Sequence, residues 1–119
     1  MKYILLIQHG DAATPDDPDA WGRLSQEEQS QVYADYQAIN QTPGVTPGLW
    51  MEGAETATTV RVEDGRTLTT DGPFVEIKES IGGYFLYEAD DFDAAIELAA
   101  RVPAARLGGA VEVRPIVEW

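Results

Sequence analysis

The fold of this chain depends on two apolar stretches, KYILLIQ at residues 2–8 and GGYFLYEA at residues 82–89. Both are rich in aliphatic and aromatic side chains that favour extended structure, so each is predicted to form a β-strand. Successive side chains of a strand point to opposite faces of its sheet. Because both stretches are apolar at consecutive positions, we expect both faces of the sheet to be covered there.

Two helices are predicted outside these strands. The first spans residues 25–40 and starts at a Ser-x-x-Glu capping box, in which Ser25 and Glu28 satisfy each other's backbone amides. The second spans about residues 91–102, where apolar residues recur at helical spacing until Pro103 closes the helix.

A β-hairpin is predicted between the two apolar stretches. Residues 56–63 and 66–70 are strand-like runs joined by Asp64-Gly65, a two-residue turn whose twist suits a hairpin. The remaining segments are a strand at residues 49–52, a strand at residues 110–118 and a loop at residues 10–24.

The order of these elements predicts an α+β fold in one domain. Strand, helix, strand with an inserted hairpin, strand, helix, strand is typical of the ferredoxin-like split βαβ arrangement. A chain of 119 residues suits a single core, so residues 1–119 are predicted to form one domain. Two helices cover only one face of such a sheet. The same face of a second copy is the simplest cover for the other, so we predict a homodimer formed through residues 2–8 and 82–89.

Composition narrows the possible partners and compartments. The net charge is −13, from 21 acidic and 8 basic residues, and the basic residues are scattered singly. Nucleic acids and anionic membranes are bound by clustered Lys and Arg, so we expect neither as a partner. There is no cysteine and no apolar run long enough to cross a bilayer, so a cytoplasmic location is expected.

The segments that follow the hairpin resemble a known family. They are TTDGPF at residues 69–74, EIKE at residues 76–79, GGY at residues 82–84, residues 91–105, and VEVRP at residues 111–115. Together with residues 2–7 and 56–65, they are similar to the DGPF-type branch of the YCII-related family, and residues 8–53 match loosely. The resemblance implies a ferredoxin-like fold that dimerises into an α/β barrel.

The resemblance implies little about activity. Some YCII relatives are thought to use a His/Asp pair, and one branch resembles a dehydrochlorinase acting on a chlorinated aromatic compound. In that pattern the histidine belongs to the first helix region, and residues 25–40 contain none. The single histidine, His9, is therefore not carried over, which disfavours such a lyase. Other relatives resemble accessory factors encoded near extracytoplasmic-function sigma factors.

Four residues are candidates for catalysis, namely Asp71, Glu76, His9 and Asp11. Asp71 either presents a carboxylate at a pocket edge or accepts backbone amides in a turn. His9 either acts as a general base oriented by Asp11 or lies solvated at a strand end. We expect residues 71–79 to define the site more than His9, because they join the hairpin to a buried strand and are held at both ends.

Four further residues are candidates for ligand binding, namely Arg61, Phe74, Lys78 and Arg114. The arginines are suited to bind a carboxylate, and the alternative is cross-strand pairing with residues such as Glu112. Phe74 either lines a pocket or anchors a turn, and Lys78 either lines a cleft or forms a surface ion pair with Glu76.

No metal site or cofactor is predicted. Residues 17–28 partly match a calcium-loop template, but Trp21 stands at the fifth ligand position and no helix precedes the loop. One histidine and no cysteine disfavour zinc and non-haem iron, whereas an all-carboxylate magnesium site stays open.

The functional prediction is a small-molecule enzyme or ligand-binding protein with a cleft between sheet and helices. The alternative is a non-catalytic regulatory or accessory module in an extracytoplasmic-function sigma factor context. The sequence leaves open whether the protein is catalytic, which ligand it takes, and whether His9 and Asp11 meet.

Overall fold

The computed structural model describes residues 1–15, 17–73 and 81–118. The strands are β1 (Lys2–Gln8), β2 (Val45–Trp50), β3 (Thr58–Glu63), β4 (Arg66–Asp71), β5 (Ile81–Glu88) and β6 (Ala110–Pro115). The helices are α1 (Pro18–Gly22), α2 (Gln26–Asn40), α3 (Phe92–Ala100) and α4 (Pro103–Arg106), with a 3-10 turn at Ala54–Thr56. This mixture of helices and antiparallel strands confirms the predicted α+β class.

The main sheet has the ferredoxin-like order β2-β5-β1-β6, with every neighbouring pair antiparallel. β1 lies in the centre, where Leu5 is opposite Phe85 of β5 and Val113 of β6. The two most apolar stretches of the sequence are therefore adjacent strands, as an apolar core requires.

The core lies on the face of the sheet that carries the odd-numbered residues of β1. Tyr3, Leu5 and Ile7 are buried there, in one cluster with Ile39 of α2 and Leu98 of α3. Burying a large aliphatic side chain stabilises the fold by about 1.5–3 kcal/mol relative to leaving it exposed. The odd-numbered residues of β1 and the inward-facing residues of the helices therefore pack together in one core cluster.

The opposite face of the sheet, which we call the open face, is also apolar at its centre. The register places Ile4 opposite Leu86 and Leu6 opposite Tyr84, and all four side chains are half-buried. Helix residues of the core cluster pack on the other face. The predicted two-sided apolar character of β1 and β5 is thus present, with one side lying beneath the helices.

The capping box of α2 forms as predicted. The Ser25 hydroxyl accepts a hydrogen bond from the Glu28 amide at 3.1 Å, and the Glu28 carboxylate accepts one from the Ser25 amide at 2.9 Å. These bonds, the one from the Ser25 backbone first, lower the pKa of Glu28 below its usual value. The carboxylate therefore caps the helix at neutral pH.

The hairpin of β3 and β4 also forms as predicted, and it is a separate two-stranded sheet. Asp64 and Gly65 both have positive φ, 51° and 75°, the combination that a two-residue hairpin turn requires. Almost every hairpin residue is exposed, including Val62 at 67%. The hairpin therefore contributes little to the core.

Three boundaries differ from the sequence predictions because of proline. β2 begins at Val45, before Pro47-Gly48, because it is an edge strand and its register shifts between Thr46 and Leu49, where proline is tolerated. Pro18 starts the short helix α1 inside the predicted loop, with Asp17 as its cap. Pro103 starts α4 and does not merely close α3.

The last strand is also shorter than predicted, since β6 ends at Pro115.

None of the helices formed by residues 1–15, 17–73 and 81–118 combines the length and hydropathy needed to cross a membrane.

Candidate active site around His9

A cavity of about 830 Å³ lies at one end of the sheet, on the side covered by helices. Its walls come from the residues after β1, from α2 and α4, from the residues after β2, and from the start of β5. The described lining residues with polar or aromatic side chains are His9, Thr14, Asp17, Tyr33, Tyr36, Trp50 and Glu52. Volumes of this size are typical of small-molecule sites.

His9 is held in place at the end of β1. The Ala12 amide donates a hydrogen bond to the His9 carbonyl oxygen at 2.7 Å, and Ala12 itself is buried. The imidazole stacks on the Trp50 ring, with centroids 5.3 Å apart and an angle of 17° between the planes. The imidazole also lies against Gly82 at the start of β5. A Cβ atom added to Gly82 would lie 2.7 Å from the imidazole Nε2, so only glycine leaves room for the ring in this position.

Tyr36 extends the aromatic wall from His9 into the cavity. Its ring meets Trp50 edge-on at 4.9 Å and lies 6.4 Å from Phe85. Burial raises the pKa of Tyr36 to about 12, and a hydrogen bond with the Ala104 backbone and the nearby Arg106 charge oppose that rise. The phenol therefore keeps its proton at neutral pH and is a hydrogen-bond donor or acceptor, not a base.

The charged groups at the cavity are acidic. Asp17 and Glu52 line it and are exposed, and the Asp17 carboxylate accepts a hydrogen bond from the Ala20 amide at 3.3 Å. No Lys or Arg is among the lining residues that the structure describes. Arg106, whose charge acts on Tyr36, forms an ion pair with Asp35 at 2.7 Å.

The candidate pair of His9 and Asp11 does not meet. Asp11 is exposed, and among the described residues no hydrogen bond or ion pair joins the two side chains. Of these two side chains, only His9 is among the described residues that line the cavity. An orienting carboxylate at Asp11 is therefore not part of this arrangement.

Asp71 lies at the end of β4, exposed, and is outside the cavity lining within the described ranges. The companion candidates Phe74, Glu76 and Lys78 lie outside the described residues. The expectation that residues 71–79 define the site stays a prediction.

The two candidate arginines form ion pairs along their own strands. Arg61 pairs with Glu63 at 3.1 Å, and Arg114 pairs with Glu112. Residues two apart share one face of a strand, which explains both pairs. Both of these ion pairs lie within one strand, whereas the alternative drawn from the sequence was pairing across strands. Arg114 is opposite Ile4, on the open face and not on the cavity side.

Sequence reasoning missed most of the aromatic wall. Tyr36 was placed only within the predicted helix at residues 25–40, and Trp50 only within the predicted strand at residues 49–52. The available signal was that Trp50 precedes Met51-Glu52-Gly53, a turn-like change after a strand. Only the pairing of β2 with β5, with Trp50 opposite Gly83, brings the indole beside His9.

A metal site has little support from the described residues. In the described parts of the chain, no group of three or more His, Cys, Asp or Glu side chains lies close enough to hold a metal ion. Acid–base chemistry at a histidine and hydrogen bonding by a protonated phenol are what the cavity offers.

Comparisons with known proteins agree with this fold. The chain is 30% identical to a protein of Rhizobium meliloti (strain 1021) described as uncharacterized, over 98% of this chain and 92% of that protein. The family model for the YCII-related domain matches residues 1–119. The chain therefore belongs to the YCII-related family.

Proposed function

We propose that this protein binds a small molecule in the cavity beside His9 and that His9 exchanges a proton with it. The observation that supports this is the stack of His9 on Trp50 at the wall of a cavity of about 830 Å³. A positioned imidazole in a cleft is the side chain suited to proton transfer near neutral pH.

Three features of the cavity suit this role. The Ala12 amide anchors the His9 backbone and the imidazole stacks on Trp50, so the ring is positioned before a ligand arrives. Tyr36 stays protonated and supplies a hydrogen bond without competing for the proton. Most of the remaining wall is apolar, which excludes water from around a bound ring or chain.

The first experiment is a thermal-shift screen of small molecules against the whole protein. A compound that binds only the folded state stabilises it by an amount that grows with the logarithm of its concentration over its Kd, and so raises the melting temperature. Ala54→Phe, which fills the cavity, is expected to abolish the shifts. Ala57→Phe is the matched control, because Ala57 is equally half-buried yet is absent from the described lining. Equal shifts in both variants would place binding elsewhere.

A second experiment separates His9 from the segment after β4. With a compound found in the screen, His9→Gln is expected to weaken binding or turnover, and Asp71→Asn to leave it unchanged. The reverse ranking would place the site in residues 71–79 and overturn this proposal.

We also propose that the protein acts as a homodimer through the open face. The half-buried row of Ile4, Leu6, Tyr84 and Leu86 is apolar in a chain with net charge −13, and such a face is stabilised by a second copy. Leu6→Glu is expected to give a monomer by light scattering at micromolar concentration. Ile96→Glu is the control, since Ile96 is an exposed apolar residue of α3. A monomeric parent protein would refute the dimer.

A further inference from the structure

The charged side chains among the described lining residues limit which ligands the cavity can bind. Its described lining carries two carboxylates, Asp17 and Glu52, and no Lys or Arg. In the described part of the chain neither carboxylate forms an ion pair with a protein cation. Arg106, whose charge acts on the lining residue Tyr36, is already paired with Asp35. Among the described side chains, an anionic ligand therefore meets two carboxylates and no Lys or Arg that would offset their charge.

The exposed aromatic rings of the cavity favour the opposite charge. Trp50 is 56% exposed and Tyr33 is 57% exposed, although both are large apolar residues beside a cavity. The Tyr33 ring packs edge-on against the Trp21 ring, with their centroids 5.6 Å apart, and the Trp50 ring stacks on His9. The faces of such rings carry negative potential and attract cations.

We propose that the ligand of this cavity is an organic cation, a protonated or quaternary amine on an apolar body. The apolar body packs among the alanine, proline and leucine side chains of the wall. The positive charge faces Trp50 and Tyr33 and is balanced by Asp17 and Glu52. This inference rests on the proposed binding function and adds the chemical class of the ligand.

The test compares three probes of one shape at pH 7, namely benzylamine, benzyl alcohol and benzoate. Each is titrated into the ¹⁵N-labelled protein, and shifts of the Ala12, Gly82 and Ala104 amides report binding in the cavity. We expect benzylamine to bind tightest and benzoate weakest, with about a two- to fivefold preference for each favourable cation–aromatic contact. Added salt should narrow that preference.

Variants assign the preference to the named side chains. Asp17→Asn keeps a good helix cap for α1 while removing the charge, and Glu52→Gln keeps the shape of Glu52. Each is expected to weaken benzylamine binding and to leave benzyl alcohol unchanged. Glu97→Gln is the control, because it removes the same charge from the exposed surface of α3, away from the cavity.

The outcomes separate the two proposals. Cavity shifts with equal affinity for the three probes, or with benzoate binding tightest, would overturn the cation proposal and leave small-molecule binding intact. Cavity amides that respond to none of the probes, in a protein that also shows no thermal shifts in the wider screen, would overturn both. Benzylamine preference that survives in Asp17→Asn and Glu52→Gln would also refute the assignment to these carboxylates.

Discussion

The pair of β1 with β5 and the pair of β3 with β4 are both antiparallel ladders, yet they differ in burial. Leu5 and Phe85 face each other with 0% and 2% of their surfaces exposed, whereas Val62 of the hairpin is 67% exposed. An isolated two-stranded hairpin is at best marginally stable in water. The difference shows that local pairing alone does not decide which strands stabilise this protein; burial under the helices does.

Truncating one side chain in each pair of strands tests most directly whether burial decides how much the pair stabilises the protein. Leu5→Ala is expected to lower the free energy of unfolding by about 2–5 kcal/mol, because it leaves a cavity in the core. Val62→Ala is expected to change it by less than about 0.5 kcal/mol. Chemical denaturation at one fixed protein concentration measures both. A large loss in Val62→Ala would show that the hairpin is buried against another surface.

A substitution in the turn between β3 and β4 provides the second test of this comparison. Gly65→Val places a β-branched residue at φ 75° and is expected to cost about 1–2 kcal/mol, more than a typical surface change. Hydrogen exchange of the β3 and β4 amides is expected to accelerate, while β1 amides change less. Thr67→Val is the control, because it adds the same side chain to an ordinary strand position. An unchanged melting temperature in Gly65→Val would contradict the turn.

A substitution at the cavity tests how tightly β5 fixes the site. Gly82→Ala brings a Cβ atom against the imidazole of His9, so the ring must leave its stack on Trp50. Because the ring can move, the loss of stability is expected to be only about 1 kcal/mol, while ligand binding and Trp fluorescence change clearly. Gly22→Ala is the control, since nothing lies within 4 Å of its Cβ position. Unchanged fluorescence in Gly82→Ala would mean that the stack is not held this way.

The smallest expected effect concerns the pH dependence of stability. The pKa of Tyr36 is raised from 10.0 to about 12 by burial, so ionisation favours the unfolded chain. Stability from this group is complete below pH 10 and falls as the pH rises toward 12. Tyr36→Phe is expected to flatten the curve over that interval, measured by urea unfolding at each pH. Tyr33→Phe, at an exposed tyrosine, is the control, and equal flattening in both variants would refute the assignment.

Local patterns predicted most of the fold. The apolar run of β1, the capping box at Ser25 and the Asp64-Gly65 turn depend on neighbours within a few residues, so the sequence alone contained them. The prolines were harder to interpret. Pro47 and Pro103 were assumed to interrupt or end elements, whereas one is accommodated at an edge-strand irregularity and the other starts α4.

The candidate site was less predictable than the fold. Residues 71–79 were preferred to His9 because they were expected to be held at both ends, yet Ala12 anchors His9 through a backbone hydrogen bond and its own burial. Alanine carries no sequence signal for such a role. Candidates chosen by residue type, such as Arg61 and Arg114, instead formed ion pairs with carboxylates two positions away in their own strands.

The sequence by itself therefore determined the six strands, the helices α2 and α3, their order, the family and the acidic composition, because these follow from local periodicity, turn chemistry and composition. The tertiary structure alone decided that His9, Tyr36 and Trp50 share one cavity wall. These residues are far apart in sequence and come from the end of β1, from α2 and from the end of β2. Their meeting depends on the strand order and on the register that sets Trp50 opposite Gly83, which no local pattern specifies.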